Sequence, residues 1–385
     1  MGKFGCEVSR PQRVLVTGGA GFIGTHLVRR LLDEGHAVTV LDSFSQQVHL
    51  VPRLPEDLAG RVRLIHEDII QRNTLQTALE GQDVVVHLAA ETGTGQSMYC
   101  LERYERTNGL GTAILLDILI NDQKRSVSKI VLASSRAIYG EGKYRCAVHG
   151  DVYPGERSVE AMSSGRFEPS CPHCGGDCSV MPTDEMTPAR PLSFYGLNKY
   201  MQEQAVLMLA RAGGMSAYAL RYQNVYGPGQ SLKNPYTGIL AIFSSLARQQ
   251  RDIEIFEDGA ESRDFVYIDD VVDATSKCVA SELQGLEILN IGSGKAITVL
   301  EVATAVRDYY SSSSALRVTG AFRKGDIRHN IADIAKATKV IGFKPTVDFN
   351  TGVKRFLDWA SDSAVSDSGY QKSIDELRSR GLMGN

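Results

Sequence analysis

Thr17-Gly18-Gly19-Ala20-Gly21-Phe22-Ile23-Gly24 lies between a short β-branched run, Arg13 to Thr17, and a stretch from Phe22 to Glu34 whose Ile23, Leu27, Leu31 and Leu32 recur at helical spacing. A glycine-rich turn between strand and helix lets backbone approach a pyrophosphate, and the helix N-terminus favours the anion's charge. Gly18, Gly21 and Gly24, with Phe22 and Ile23 opening the helix, therefore read as a dinucleotide site. Asp42 follows 18 residues after Gly24, at the end of the next apolar run, where it can accept from the adenosine ribose hydroxyls. A carboxylate there repels a 2′-phosphate and Ser43 supplies no compensating cation, so NAD is expected over NADP. Asp68 and Ile69 are placed to border the adenine, although Ile69 reads equally well as core.

Further strands are expected at Ala37 to Leu41, Val62 to His66, Val84 to Leu88 and Ile130 to Leu132, with a helix over Leu110 to Asn121. Continuous apolar strands separated by helices imply an α/β fold, a Rossmann-like doubly wound parallel sheet covered on both faces. The 385 residues allow two to three domains at about 150 residues each. The charge balance of −3, 43% hydrophobic and 23% charged content describe an ordinary globular protein, with no polybasic run to suggest nucleic acid or an anionic membrane. No run reaches the roughly 18 apolar residues of a spanning helix, and Met1 to Arg10 lacks the apolar core of a secretory signal. A cytoplasmic enzyme is expected.

Tyr195 and Lys199 stand four apart, on one face of an expected helix. A free tyrosine, with a pKa near 10, is a poor base at neutral pH. A neighbouring ammonium and an oxidised nicotinamide favour its phenolate, and Ser135 can share a substrate hydroxyl with it.

The G-x-x-G-x-x-G spacing differs from the G-x-G-x-x-G of common dehydrogenases. With His87-Leu88-Ala89-Ala90, Ser134-Ser135-Arg136-Ala137-Ile138-Tyr139-Gly140, Tyr195-Gly196-Leu197-Asn198-Lys199, Arg221 to Gly227, Arg263 to Asp270, Asn290 to Gly294 and Gly325-Asp326-Ile327, the chain resembles the extended short-chain dehydrogenase/reductase superfamily, in its nucleotide-sugar epimerase/dehydratase branch. The resemblance runs over about residues 12 to 360, apart from a Cys-rich insert. It implies that Leu88, Ala89, Ala90 and Asn108 join the cofactor site and that Tyr195, Lys199 and Ser135 are the reacting groups. It also implies that Arg263, Arg323 and Arg328 hold a substrate diphosphate with Asn224; Arg328 could instead pair with Asp326. The branch's dehydratases and decarboxylases carry an acid just after the serine, whereas Arg136 and Ala137 stand here, which implies oxidation alone or 4-epimerisation through a keto-sugar. Helices over Asn108 to Asn121 and Tyr195 to Arg211 would pair across a two-fold axis in a homodimer. Leu207 and Leu209 suit that interface and core burial equally.

From Gly142 to Thr187 the chain is rich in Gly, Pro, Ser and Cys and lacks periodicity, so something other than an apolar core must order it. Of seven cysteines, Cys146, Cys171, Cys174 and Cys178 fall within 33 residues. Cys146-x-x-His149 and Cys171-x-x-Cys174 form two chelating turns of the kind a structural zinc uses. His173 and Cys178 are spare, and free thiols or a Cys171–Cys174 disulfide are the alternatives. An insert at this position resembles sequences assigned as dTDP-L-rhamnose 4-epimerases.

The expected organisation is a dinucleotide domain over 1–222 plus 263–290, bearing the insert at about 142–187. A sugar-nucleotide domain follows over 223–262 plus 291–360, with a peripheral tail over 361–385. The expected activity is an NAD-dependent nucleotide-sugar 4-epimerase with dTDP-L-rhamnose as substrate. Its rivals are a UDP-hexose or UDP-uronate 4-epimerase, a net sugar-nucleotide oxidoreductase, and a non-catalytic NAD-binding scaffold with the insert as its partner surface.

Overall fold

The structure, a computed structural model, describes residues 10–49, 51–234, 236, 238–363 and 369–384. The first nine residues of the Met1–Arg10 segment, Cys6 among them, lie outside that range, as do 364–368 and 385 of the expected tail.

Seven parallel strands form the main sheet: β1 (Arg13–Thr17), β2 (Ala37–Asp42), β3 (Arg63–His66), β4 (Val84–His87), β5 (Lys129–Ser135), β6 (Ser216–Tyr222) and β7 (Leu286–Ile291). Their spatial order is β7-β6-β5-β4-β1-β2-β3. Chain order reverses between β1 and β4, opening a crevice at the strands' carboxyl ends where such sheets take ligands. Val14, Leu15, Val16, Val84, Val85, Val86 and Ile130 to Leu132 are fully buried, because helices cover both faces. One apolar cluster gathers Val14, Val16, Leu27, Leu31, Val84 and Val131; the other gathers Leu15, Val85, Leu115, Leu119, Leu132 and Val206. β5 is longer than its apolar run suggests, and the extra residues carry Ser134 and Ser135 to the crevice.

The chain after β6 leaves this sheet as a strand, Asn224–Tyr226, paired with Ser262–Tyr267. The latter also takes Ala296–Thr298 antiparallel and His329–Asn330 parallel. Helices Ile239–Arg248, Val299–Tyr309 and Phe349–Ser361 pack around it. Asp264, fully buried, ties the Ser262–Tyr267 strand to the loop after β7 by accepting from the Ser293 amide (2.6 Å) and hydroxyl (2.7 Å) and the Gly294 amide (2.9 Å).

The insert, aperiodic in sequence, is not without regular structure. Tyr144–Cys146 pairs antiparallel with both Gly150–Val152 and Cys178–Val180, making a three-stranded sheet over a small core of Tyr144, Cys146, Val152 and Cys171. Strands of three residues are too short to show alternation. Nor is the described part of the tail peripheral. The Tyr370–Ser379 helix buries Ile374 and Leu377, its Glu376 accepts from the Tyr99 and Tyr236 hydroxyls (2.8 and 2.9 Å), and Met383–Gly384 pairs with Phe322–Arg323.

Candidate active site

The glycine turn is held open by geometry that side chains would spoil. Gly18 has φ +69°, and a Cβ there would lie 2.7 Å from the Ala89 amide nitrogen, so the turn abuts the loop after β4. A Cβ on Gly24 would strike the Gly18 carbonyl oxygen. No side chain caps the Phe22–Asp33 helix and its first turn holds no acid, which leaves its first-turn amides open to an anion. Asp42, at the tip of β2, accepts from the Ala20 amide (3.0 Å) and the Phe44 amide (2.8 Å), fixing the turn to the strand while its carboxylate keeps lone pairs to spare. This cradle and its acid suit a dinucleotide.

A cavity of about 1360 Å³ runs from the cradle, exceeding the roughly 300–1,000 Å³ of a pocket for one drug-sized ligand. Gly18, Gly21, Phe22, Ile23, Gly24, Asp42, Asp68, Ile69, Leu88, Ala89, Ala90, Ser135, Tyr195, Lys199 and Asn224 line it. Ile69 belongs to the apolar core as well. Asn108 does not line the cavity; it is fully buried, and its amide clamps the loop after β4 by accepting from the Glu91 amide (2.8 Å) and donating to the Glu91 carbonyl (3.1 Å).

The Phe194–Ala212 helix starts at Ser193, whose hydroxyl accepts from the Gly196 amide at 3.1 Å. Gly196 lets this end come close: a Cβ would lie 2.5 Å from the Ala137 carbonyl. Tyr195 thereby faces Ser135 across the cavity. Glu203, one face farther along, is buried and bound by Arg221 (2.6 and 3.0 Å) and the Ser134 hydroxyl (2.7 Å), which locks the helix against β5 and β6. Lys199 Nζ donates to the Ala133 carbonyl at 3.0 Å and lies 6.0 Å from the Tyr195 ring centroid. Burial pushes the Lys199 amine down to about 7. Burial pushes the Tyr195 phenol up, while the Ser135 hydroxyl and the Arg136 charge pull it back. Behind them His87, held neutral by burial at a pKa of about 3, joins Thr17 (2.8 Å) and Thr112 (2.9 Å).

Three cations expected to grip a diphosphate are already engaged. Arg263 donates to Asp326 (3.1 Å) and to the Ser262, Ile327 and Arg328 carbonyls, and Arg323 also pairs with Asp326. Arg328, 1% exposed, pairs not with Asp326 but with Glu168 (2.7 Å), Glu257 (2.9 Å) and Asp258 (2.7 and 2.9 Å). None of the three lines the cavity. Asn224 does line it, but its carbonyl accepts from Arg136 Nε at 2.6 Å. Arg136 is the residue the sequence reading undervalued; a basic residue directly after Ser135 was the available signal.

In the insert, one donor atom from each of Cys146, His149, Cys171 and Cys174 lies within 4.8 Å of all the others. Cys146 Sγ is 3.6 Å from His149 Nδ1 and 3.8 Å from Cys174 Sγ, and Cys171 Sγ is 3.6 Å from the same nitrogen. These are edge lengths of a tetrahedron with bonds of about 2.0–2.3 Å, the reach of zinc with thiolate and imidazole ligands. His173 sits outside the group, its ring 5.1 Å from that of His149, and Cys178 is directed to the Gly176 carbonyl.

A family model, the NAD dependent epimerase/dehydratase family, matches residues 14–292. The chain belongs to that family. Among its relatives, a dTDP-L-rhamnose 4-epimerase of Burkholderia thailandensis is 37% identical over 350 residues, 90% of this chain and 94% of that protein. A UDP-glucose 4-epimerase of Thermotoga maritima, solved with UDP-glucose, is 30% identical with a TM-score of 0.72, covering 91% of this chain and 98% of that one. A Thermus thermophilus UDP-glucose 4-epimerase solved with NAD is 26% identical with a TM-score of 0.71, covering 91% and 100%. The epimerase/dehydratase fold thus extends past the matched segment into the smaller sheet and its helices.

Proposed function

We propose that this protein is an NAD-dependent nucleotide-sugar 4-epimerase converting dTDP-L-rhamnose to dTDP-6-deoxy-L-talose through a transient 4-keto sugar. One observation carries the reading: Tyr195, Lys199 and Ser135 share a single cavity with the glycine cradle and Asp42. NAD, when bound, supplies the acceptor and donor for the C4 hydride. Gly18, Gly21, Phe22, Ile23, Gly24 and Asp42 would hold it, with Leu88, Ala89 and Ala90 along its flank. Tyr195 takes the proton of the C4 hydroxyl, Ser135 shares that hydroxyl, and Lys199 favours the phenolate. Tyr195 returns the proton after the sugar has turned over, while its nucleotide half stays anchored. No carboxylate stands at positions 136 or 137 to drive dehydration.

The substrate rests on the 37% identity to the Burkholderia relative. A UDP-hexose or UDP-uronate substrate is the second reading, favoured by the UDP-glucose in the Thermotoga enzyme. A panel of dTDP- and UDP-sugars, incubated with no added NAD and resolved by chromatography, tests both. Formation of a C4 epimer is the expected result. Stoichiometric consumption of added NAD would mark an oxidoreductase, and no reaction with any sugar would leave a scaffold.

The Cys146, His149, Cys171 and Cys174 set fits a structural zinc, because all four donors come from the protein and the insert has little apolar core of its own. Elemental analysis of protein purified without chelator should find about one equivalent; less than about a tenth would overturn the assignment. A homodimer through the Phe194–Ala212 helix is supported by exposed Leu197, Met201 and Met208, with Leu110 nearby in the chain's other candidate helix, while Leu207 and Leu209 are half-buried against the core.

A further inference from the structure

The arginines around the sugar end of the cavity divide sharply. Arg157, Arg221, Arg263, Arg323 and Arg328 all pair with carboxylates. Arg136 does not. Among the described residues its only hydrogen-bond partner is the neutral Asn224 carbonyl, reached through Nε, and neither Nη nitrogen has a protein acceptor. The side chain lines the cavity beside Ser135 and Tyr195. The Asn224 amide nitrogen likewise has no protein acceptor, so its bond to Arg136 turns the donor end of that amide toward free use.

Holding a half-buried guanidinium without a paired carboxylate is costly, and natural proteins leave few such groups unpaired. The strain registers in the group itself: burial and the nearby Arg263 charge push Arg136 down to about 10. A forked pair of N–H donors joined by a third from an amide is a donor-only cradle. Its complement is an oxyanion, which a guanidinium can grip through two bonds. The cations first expected in this role pair with carboxylates and do not line the cavity, whereas Arg136 lines it beside Ser135.

We propose that Arg136, positioned by Asn224, is the residue that binds a substrate oxyanion at the sugar end of the cavity: the diphosphate oxygens adjoining the sugar, or a carboxylate carried on the sugar. This rests on the nucleotide-sugar reading of the cavity. Its charge also lies where it helps Tyr195 ionise, so holding the substrate and readying the base become one event.

Binding separates this inference from turnover. Dissociation constants for dTDP and for UDP-glucuronate are to be measured by calorimetry on the wild type, Arg136→Met and Arg136→Lys, with NAD content and thermal midpoint recorded for each. Loss of a charged hydrogen-bonded contact should weaken binding by about tenfold to a hundredfold in Arg136→Met, with partial recovery in Arg136→Lys. Weakening of both ligands, or of dTDP alone, identifies the diphosphate; weakening of UDP-glucuronate alone identifies a sugar carboxylate. Unchanged affinity for both overturns the proposal. Should Arg136→Met fail to fold, phenylglyoxal labelling of the wild type decides: modification of Arg136 slowed by either ligand supports it, and an unaltered rate overturns it. A wild type that binds dTDP through Arg136 yet never epimerises dTDP-L-rhamnose keeps this inference and loses the assigned activity.

Discussion

The seven-stranded sheet, whose β5 ends in Ser135, and the Cys-rich insert that follows it in sequence are ordered by opposite means. The sheet is held by side chains with no polar options: Val14, Val16, Val84, Val86 and Ile130 are sealed between two helical layers. The insert has two small cores: Tyr144, Cys146, Val152 and Cys171, two of them candidate metal ligands, and Met162 with Phe167 against Phe322. Charged clasps fix it to the rest of the molecule. Arg157 donates to Glu141 (3.0 Å) and to both Glu257 oxygens (2.8 and 2.9 Å), while Arg328 reaches Glu168 from the other side. Apolar burial is indifferent to pH and chelators; ligation and ion pairs are not. One domain should therefore respond to conditions that leave its neighbour unmoved.

The sharpest test of the sheet's side is chemical. Tyr195→Phe should lower kcat by about 10²- to 10⁴-fold while bound NAD, measured by chromatography after denaturation, stays at the wild-type level. Near-normal turnover would detach the crevice from catalysis altogether. Next comes the cradle: Gly18→Val, placing a branched side chain at φ +69° against the Ala89 amide, should cost about 1–3 kcal/mol locally and empty the protein of NAD. Retained NAD would break the claim that the turn holds the pyrophosphate.

On the insert's side, Cys171→Ser should release the metal and expose sites between residues 142 and 187 to limited proteolysis, with the sheet's own protection pattern unaltered in hydrogen exchange. Equal loss of protection in both regions would end the contrast drawn here. The smallest effect concerns acid. Glu168, bonded to His329 and Arg328, is held down at about 2 from its ordinary 4.5 despite partial burial. A carboxylate depressed in this way contributes stability above the unfolded-state value and loses it progressively as pH falls from about 4.5 toward 2. Glu168→Gln removes that contribution, so it should lower the neutral plateau of the insert's unfolding curve and flatten its acid limb, the two proteins converging as pH falls toward 2; an identical plateau and acid limb in both proteins would count against the clasp.

How much could be read in advance follows the same divide. β1, β2 and β4 were legible because strands buried on both faces leave continuous apolar runs, and the glycine turn because its conformation excludes side chains. Tyr195 and Lys199 were legible because helical spacing alone puts them together. The partners of arginines were not. Arg328 chooses Glu257 and Asp258, some seventy positions away, over Asp326 two positions away, and nothing local encodes that choice. The gathering of Cys146, His149, Cys171 and Cys174 was legible from the insert's two C-x-x-H and C-x-x-C turns, but its three-residue strands were not. Asn108 read as a cofactor ligand only through the family resemblance; its amide serves the Glu91 backbone.

The Tyr99 hydroxyl meets Glu376 across 277 positions of chain, whereas Ala20 meets Asp42 across 22. During synthesis, the glycine turn can close on Asp42 early, but Tyr236 on the cavity wall gains its Glu376 partner only once the Tyr370–Ser379 helix has emerged. Until then the growing polypeptide has a floor whose far side is unpropped, and long-range pairing of this kind is the slow step in assembling such shapes.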